Sequence, residues 1–123
     1  EVLSGRPFAT FLAERIFRPL GMRDTAFFVP PAKQKRLVAG YRRDDGRLVL
    51  MEDAPRPSKA PAYPRPSGGL FSTAADLARF HRAWLASGAP LIEAETFATM
   101  TQVHTGDLQA GFLPGLGFGL GVS

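Results

Sequence analysis

The sequence predicts a mixed α/β fold: a helical region carrying a short β-hairpin, ending in a strand of an antiparallel α/β sheet. Three observations carry this. Ser67-Gly-Gly-Leu-Phe-Ser-Thr-Ala-Ala-Asp-Leu-Ala-Arg-Phe80 passes from a glycine-rich loop into an amphipathic helix with its own cap. Asp44-Asp45-Gly46 separates two β-prone runs. From Gly111 to Ser123, glycine alternates with large apolar residues.

In chain order, Pro7 to Phe17 reads as the first helix. Proline suits the first helical position, and Phe8, Phe11, Leu12 and Ile16 form one apolar stripe. Glu14 and Arg18 are four apart in the favourable orientation for an ion pair. Pro19 ends the regular ladder and Gly21 supplies a left-handed stop. An extended connection from Asp24-Thr25 to Pro30-Pro31 leads to Leu37-Val-Ala-Gly-Tyr41 and Arg47-Leu-Val-Leu-Met51. With Asp-Gly between them, these two runs read as a hairpin, its outer edge guarded by Arg42, Arg43 and Arg47.

From Asp53 to Pro66 the composition shifts, with Pro55, Pro57, Pro61, Pro64 and Pro66 punctuating it. A disordered linker and an ordered loop over a cleft both fit; Tyr63 favours the ordered loop, since an aromatic needs something to pack on. In the next helix Ser72 or Thr73 can cap the free N–H groups, and Asp76 three residues after Thr73 approximates a capping box. Leu77, Phe80 and Trp84 form its inner stripe, with Asp76, Arg79 and Arg82 on the other side. Ser87-Gly88-Ala89-Pro90 stops it. A further helix spans Glu93 to about Met100, with Leu91, Phe97 and Met100 inward. The closing alternation places Leu116, Phe118, Leu120 and Val122 on one side, as in a strand packed closely against another backbone.

At 123 residues the chain fits one domain with a modest core. An apolar fraction of 45% and a charged fraction of 21% are ordinary for a globular protein. No apolar run reaches membrane-spanning length. The net charge of +4 raises the question of nucleic acid. The arginines, however, are scattered among acidic residues rather than interleaved with exposed aromatics, so a solvated surface is the reading and no nucleic-acid partner is expected. Without cysteine there is no disulfide framework or thiolate site, and the redox compartment stays open.

The chemistry is sparse. There is no Ser-x-x-Lys, no Gly-x-Ser-x-Gly elbow and no asparagine anywhere. Gly68-Gly69 is not followed by Gly-Lys-Ser/Thr, so the phosphate-cradling loops fail. His81 reads as a partly exposed helical side chain, and two distant histidines make neither a metal site nor a cofactor site.

Several stretches nonetheless agree on one family. Ser4-Gly5 with the helix after it, Ile16-Phe-Arg-Pro-Leu-Gly-Met-Arg-Asp-Thr25, Ala39-Gly-Tyr41, Pro66 to Phe80 and Gly117-Phe-Gly-Leu-Gly-Val122 resemble, in order and end to end, the serine β-lactamase and penicillin-binding protein superfamily. The nearest branch resembles class C β-lactamases with their esterase and D-aminopeptidase relatives. The resemblance implies a two-domain β-lactamase/transpeptidase-like fold, of which residues 1–123 are a single partial domain. It also implies a parent that hydrolyses a β-lactam, an ester or a D-amino-acid peptide through an acyl-serine. The family's Ser-x-x-Lys and Tyr-x-Asn motifs would precede Glu1 and its Lys-Thr-Gly or His-x-Gly strand would follow Ser123. His104-Thr105-Gly106 comes before the returning strand and is a decoy.

No catalytic residue carries over, and the chain alone is expected to be inactive. What carries over is a wall. Ser67, Gly68 and Gly69 would border the substrate cleft, with 53–69 as its Pro/Gly-rich rim and a small-molecule or peptide substrate beyond it. Some class C β-lactamases carry a bulky aromatic near this point, and Gly68 departs from that. A non-catalytic scaffold binding peptidoglycan or peptide ligands is the alternative. The resemblance implies a bacterial periplasmic or secreted protein, with the cytoplasm also compatible. A terminal strand lacking sheet neighbours would leave an open edge through which copies associate.

Overall fold

The computed structural model describes residues 1–108 and 114–122. Pro7, at φ −55° and ψ 141°, stands one position before the helix it introduces, and its carbonyl accepts the Phe11 N–H at 2.9 Å. Helix α1 (Phe8–Leu12) runs directly into a π-helical turn (Ala13–Phe17). The widening has a local cause: Pro19 has no N–H and its ring must clear the carbonyl four residues back. The Arg18 N–H accordingly reaches Ala13 O at 2.9 Å, and the Met22 N–H reaches Phe17 O at 2.8 Å. This wider turn breaks the i,i+4 stacking that the Glu14–Arg18 pair requires. Glu14 instead pairs with Arg6.

Beyond Gly21 (φ +66°) the chain is extended only in part. Ala26 makes an isolated two-bond bridge to Phe71, at 3.0 and 2.8 Å, after which Pro31–Arg36 forms a 3₁₀ segment. The hairpin is present, but its first strand is β1 (Tyr41–Asp44) rather than 37–41. Strand β2 (Arg47–Leu50) pairs with it through Tyr41↔Leu50 and Asp44↔Arg47. The turn explains the difference. Asp45 (φ 45°) and Gly46 (φ 77°) make a two-residue connection, which pins the register so that β1 must occupy the four residues before it. Both strands are exposed along their whole length.

The Pro-rich loop is tied down at Pro57, whose carbonyl accepts the Val29 N–H at 2.9 Å and Gln34 Nε2 at 3.3 Å. Helix α2 (Ala74–Leu85) and helix α3 (Ala94–Thr101) then pack through a T-shaped Trp84–Phe97 contact at 4.9 Å. Together with Phe11 and Ile16 they border an apolar groove of about 280 Å³. Met22, Phe27 and Ala83 are the buried apolar side chains among the described residues.

No strand forms among the described residues near the end of the chain. The segment returns instead beside the end of α3: Phe118 O accepts the His104 N–H at 2.8 Å, and Met100 O accepts the Leu120 N–H at 2.8 Å. These separate bonds do not make a ladder, because part of the partner segment belongs to the last turn of α3. The close approach expected of the glycines is present. A Cβ on Gly119 would lie 2.3 Å from Met100 O, and one on Gly117 2.7 Å from Val103 Cγ1. Leu120, expected inward, is 56% exposed. Gly111, Phe112, Leu113 and Ser123 lie outside the described residues.

The stop after α2 is a Schellman turn. Gly88 N–H donates to Ala83 O at 2.9 Å and Ser87 N–H to Trp84 O at 3.1 Å. It places Ser87, not Gly88, in the first left-handed position (φ 54°), followed by Gly88 at φ 89°. A Cβ on Gly88 would approach Ile92 Cγ1 to 2.5 Å. We expect Ser87→Gly to stabilise by about 0.5–1 kcal/mol by relieving the left-handed strain. Gly88→Ala should destabilise by roughly 2 kcal/mol or more through strain and overpacking. Urea unfolding midpoints measure both.

Candidate substrate-cleft rim

The rim is built outward from α2. Thr73, in extended backbone, caps the helix by accepting the Asp76 N–H on Oγ1 at 3.2 Å. Its position lets Asp76 face inward rather than to the outside as the helical pattern suggested. Asp76 is 2% exposed, and its carboxylate is satisfied from two directions. Oδ2 accepts the Asp24 N–H at 2.7 Å and Thr25 Oγ1–H at 2.9 Å, while Oδ1 accepts from Arg79 Nη1 at 2.8 Å. Ser72 Oγ and Thr25 Oγ1 share a further hydrogen bond at 2.8 Å. With the Ala26–Phe71 bridge, these bonds clip residues 24–26 to 71–76. The helix face that meets the body of the fold is thus centred on Asp76, Phe80 and Ala83, and Leu77 is 46% exposed.

The loop ahead of this clip carries the three rim residues. Gly68 N–H donates to Arg65 O at 3.3 Å, closing a turn with Pro66 inside it. Gly69 then adopts φ +92°, a conformation glycine takes without penalty. Ser67, Gly68 and Gly69 border one open cleft of about 450 Å³ with Phe27, Phe71, Tyr63, Arg65, Pro55, Pro57 and Pro61. Both the Pro-rich loop and the glycines therefore line a common concavity. Phe27 and Arg65 were not singled out from the sequence. Phe27 lies 44 positions before Phe71, across an intervening hairpin, and no local pattern joins them. For Arg65, the Tyr63-Pro-Arg-Pro66 alternation was the available signal.

The other candidates are occupied structurally. His81 Nδ1 meets Leu77 O at 2.8 Å, and His104 Nε2 meets Thr99 O at 2.8 Å. In the decoy triplet, Thr105 Oγ1 accepts the Phe118 N–H at 3.1 Å, a structural bond. Among the described residues no group of three metal-ligating side chains converges, and no helix is long and apolar enough to cross a membrane. Hydrogen bonds from Lys33, then from Arg36 at 2.9 Å, hold the Asp24 carboxyl below its ordinary value of 3.8.

The model of one family, described as Beta-lactamase, matches residues 1–123. The chain belongs to the beta-lactamase family. Protein Rv1367c of Mycobacterium tuberculosis is 33% identical over 129 residues, covering 95% of this chain and 32% of the relative. The D-alanyl-D-alanine-carboxypeptidase/endopeptidase AmpH of Escherichia coli K12 is 31% identical over 84 residues, covering 68% of this chain and 19% of AmpH. The solved structure of EstCE1, described as a hydrolase with promiscuous acyltransferase activity, superimposes with a TM-score of 0.74 at 23% identity, covering 97% of this chain and 35% of EstCE1. The chain thus spans about a third of the length of Rv1367c, and less of AmpH. The mixed helix-and-antiparallel-sheet architecture is that of a piece of the β-lactamase/penicillin-binding fold.

Two consequences are measurable. Asp76→Ala leaves a backbone N–H, a hydroxyl and Arg79 without their buried acceptor and should cost about 3 kcal/mol, whereas Ser72→Ala, at the exposed end of the same network, should cost under about 1 kcal/mol. Urea unfolding of the two variants compares them. Because the folded value of Asp24 is depressed, its contribution to stability is full above the ordinary carboxylate range and is lost as pH falls through the lowered value. Asp24→Asn should therefore flatten the acid side of the stability–pH profile, read from unfolding midpoints between about pH 2 and 6.

Proposed function

We propose that this chain forms one wall of the substrate cleft of a serine hydrolase that works through an acyl-serine on an ester, a β-lactam or a D-amino-acid peptide. The observation that carries the reading is the match to the family over residues 1–123, on a chain that holds no Ser-x-x-Lys and no asparagine. The nucleophilic serine, a tyrosine or lysine base and the oxyanion-hole N–H groups would come from the rest of the parent protein. The part left to this chain is shape. Ser67–Gly69 and the proline faces would bound the non-reacting part of the substrate and keep the rim open, so that binding energy is spent on orienting it. AmpH's name as a carboxypeptidase/endopeptidase and EstCE1's description as a hydrolase support hydrolysis over passive binding.

The direct test assays the full-length parent and the 123-residue chain with p-nitrophenyl esters and a chromogenic cephalosporin. Turnover by the parent alone, with a covalent acyl adduct in its mass spectrum, is expected. A parent that binds peptidoglycan fragments without turnover would favour the scaffold alternative. The rim is tested separately by Gly68→Tyr. A Cβ there meets nothing within 4 Å, so the fold should tolerate it. We expect kcat/KM to fall about fivefold for bulky esters with little change for p-nitrophenyl acetate.

A further inference from the structure

We infer that Arg65 sets a preference, within this cleft, for substrates that carry a carboxylate on an apolar body. The inference rests on the reading of 53–69 as a substrate wall and adds a substrate class to it. Among the described residues that border the cleft, Arg65 is the one charged group. Among the described residues no carboxylate lines the cavity beside it, and the ion pairs are Arg6–Glu14, Lys33–Asp24, Arg36–Asp24 and Arg79–Asp76, none of which involves Arg65.

Its backbone is held in place. Pro64 and Pro66 flank it, each with a fixed φ, and a residue before proline is confined to extended conformations. Tyr63, before Pro64, is restricted in the same way. The Arg65 carbonyl is bonded to the Gly68 N–H. The guanidinium is thus carried on a stiff segment rather than on a free loop, so less freedom is lost when it engages a ligand. Of the remaining lining residues, Phe27, Phe71 and the three prolines are apolar, while Tyr63 and Ser67 add hydroxyls. The apolar members favour a hydrocarbon or aromatic body, and the guanidinium offers a carboxylate a charge-assisted, bidentate hydrogen bond. A cavity of about 450 Å³ is within the range that small organic ligands fill.

The experiment uses the full-length protein and compares kcat/KM for a neutral ester, p-nitrophenyl butyrate, with two charged ones. One is mono-p-nitrophenyl glutarate, with its carboxylate on the acyl side; the other is the butyrate ester of 3-hydroxybenzoate, with its carboxylate on the leaving group. Arg65→Glu should lower the charged-to-neutral ratio about tenfold for at least one of them, equivalent to about 1.4 kcal/mol, while Arg65→Lys should retain most of it. A ratio changed less than threefold for both esters overturns the inference. Calorimetric binding of 3-phenylpropionate against 3-phenylpropanol gives a readout independent of turnover, and Arg65→Glu should abolish the preference for the acid. Equal binding of the two by the unaltered protein also overturns the inference. If no ester is turned over yet the acid preference is present and Arg65-dependent, the hydrolase reading fails and the ligand class stands.

Discussion

The structure depends on one buried carboxylate. Asp76 closes the first turn of α2 through its backbone and, through its side chain, receives a backbone N–H and a hydroxyl from a segment 52 and 51 positions earlier. An ionised carboxylate out of water is tolerated only when its oxygens are filled, and here Arg79 completes the set. The three donors make the position of residues 24–25 a condition of burying the charge at all. Among the described residues few apolar side chains are buried, so this polar clip, with the Ala26–Phe71 bridge beside it, fixes how the front of the chain meets α2. The glycine rim starts directly before the clipped strip and inherits its placement.

What was legible in the sequence is what short-range chemistry dictates. The Thr73 cap, the Asp45-Gly46 turn and the helix over Phe8 to Phe17 follow from residues a few positions apart. Strand β1 was read four residues too early because β-propensity favoured Leu37-Val-Ala, whereas the turn fixed the register. The inward direction of Asp76 was missed because the amphipathic pattern assigns a carboxylate to water, and its partners at Asp24 and Thr25 are invisible to any local window. The π turn changed the partner of Glu14 for a similar reason: a proline downstream alters helical phase, and phase decides which side chains meet. Of the concavity's lining, Ser67–Gly69 was singled out by the resemblance and the proline loop by its composition. The opposite wall, Phe27 and Phe71, required the fold.

Prolines and glycines divide the labour at the rim. The prolines present flat, apolar, already ordered faces, which lose little entropy when a ligand covers them. The glycines at 68 and 69 leave space open and let the chain turn sharply into the capped helix. Open space on one side and stiff walls on the other amount to a shaped boundary made largely of backbone, with Arg65 as its charged group. Such a boundary can be retuned by single side chains without disturbing the elements behind it.

The clip between residues 24–26 and 71–76 also closes a chain loop, and everything between its ends hangs from that closure. The exposed hairpin and the Pro-rich segment both lie inside it. Closure entropy grows only with the logarithm of length, so doubling the enclosed chain costs about 0.6 kcal/mol. Insertions at the exposed hairpin tip are therefore cheap, while the anchoring ends and the Pro57 contacts stay fixed. The length of the hairpin excursion is thus uncoupled from the polar knot that holds its ends.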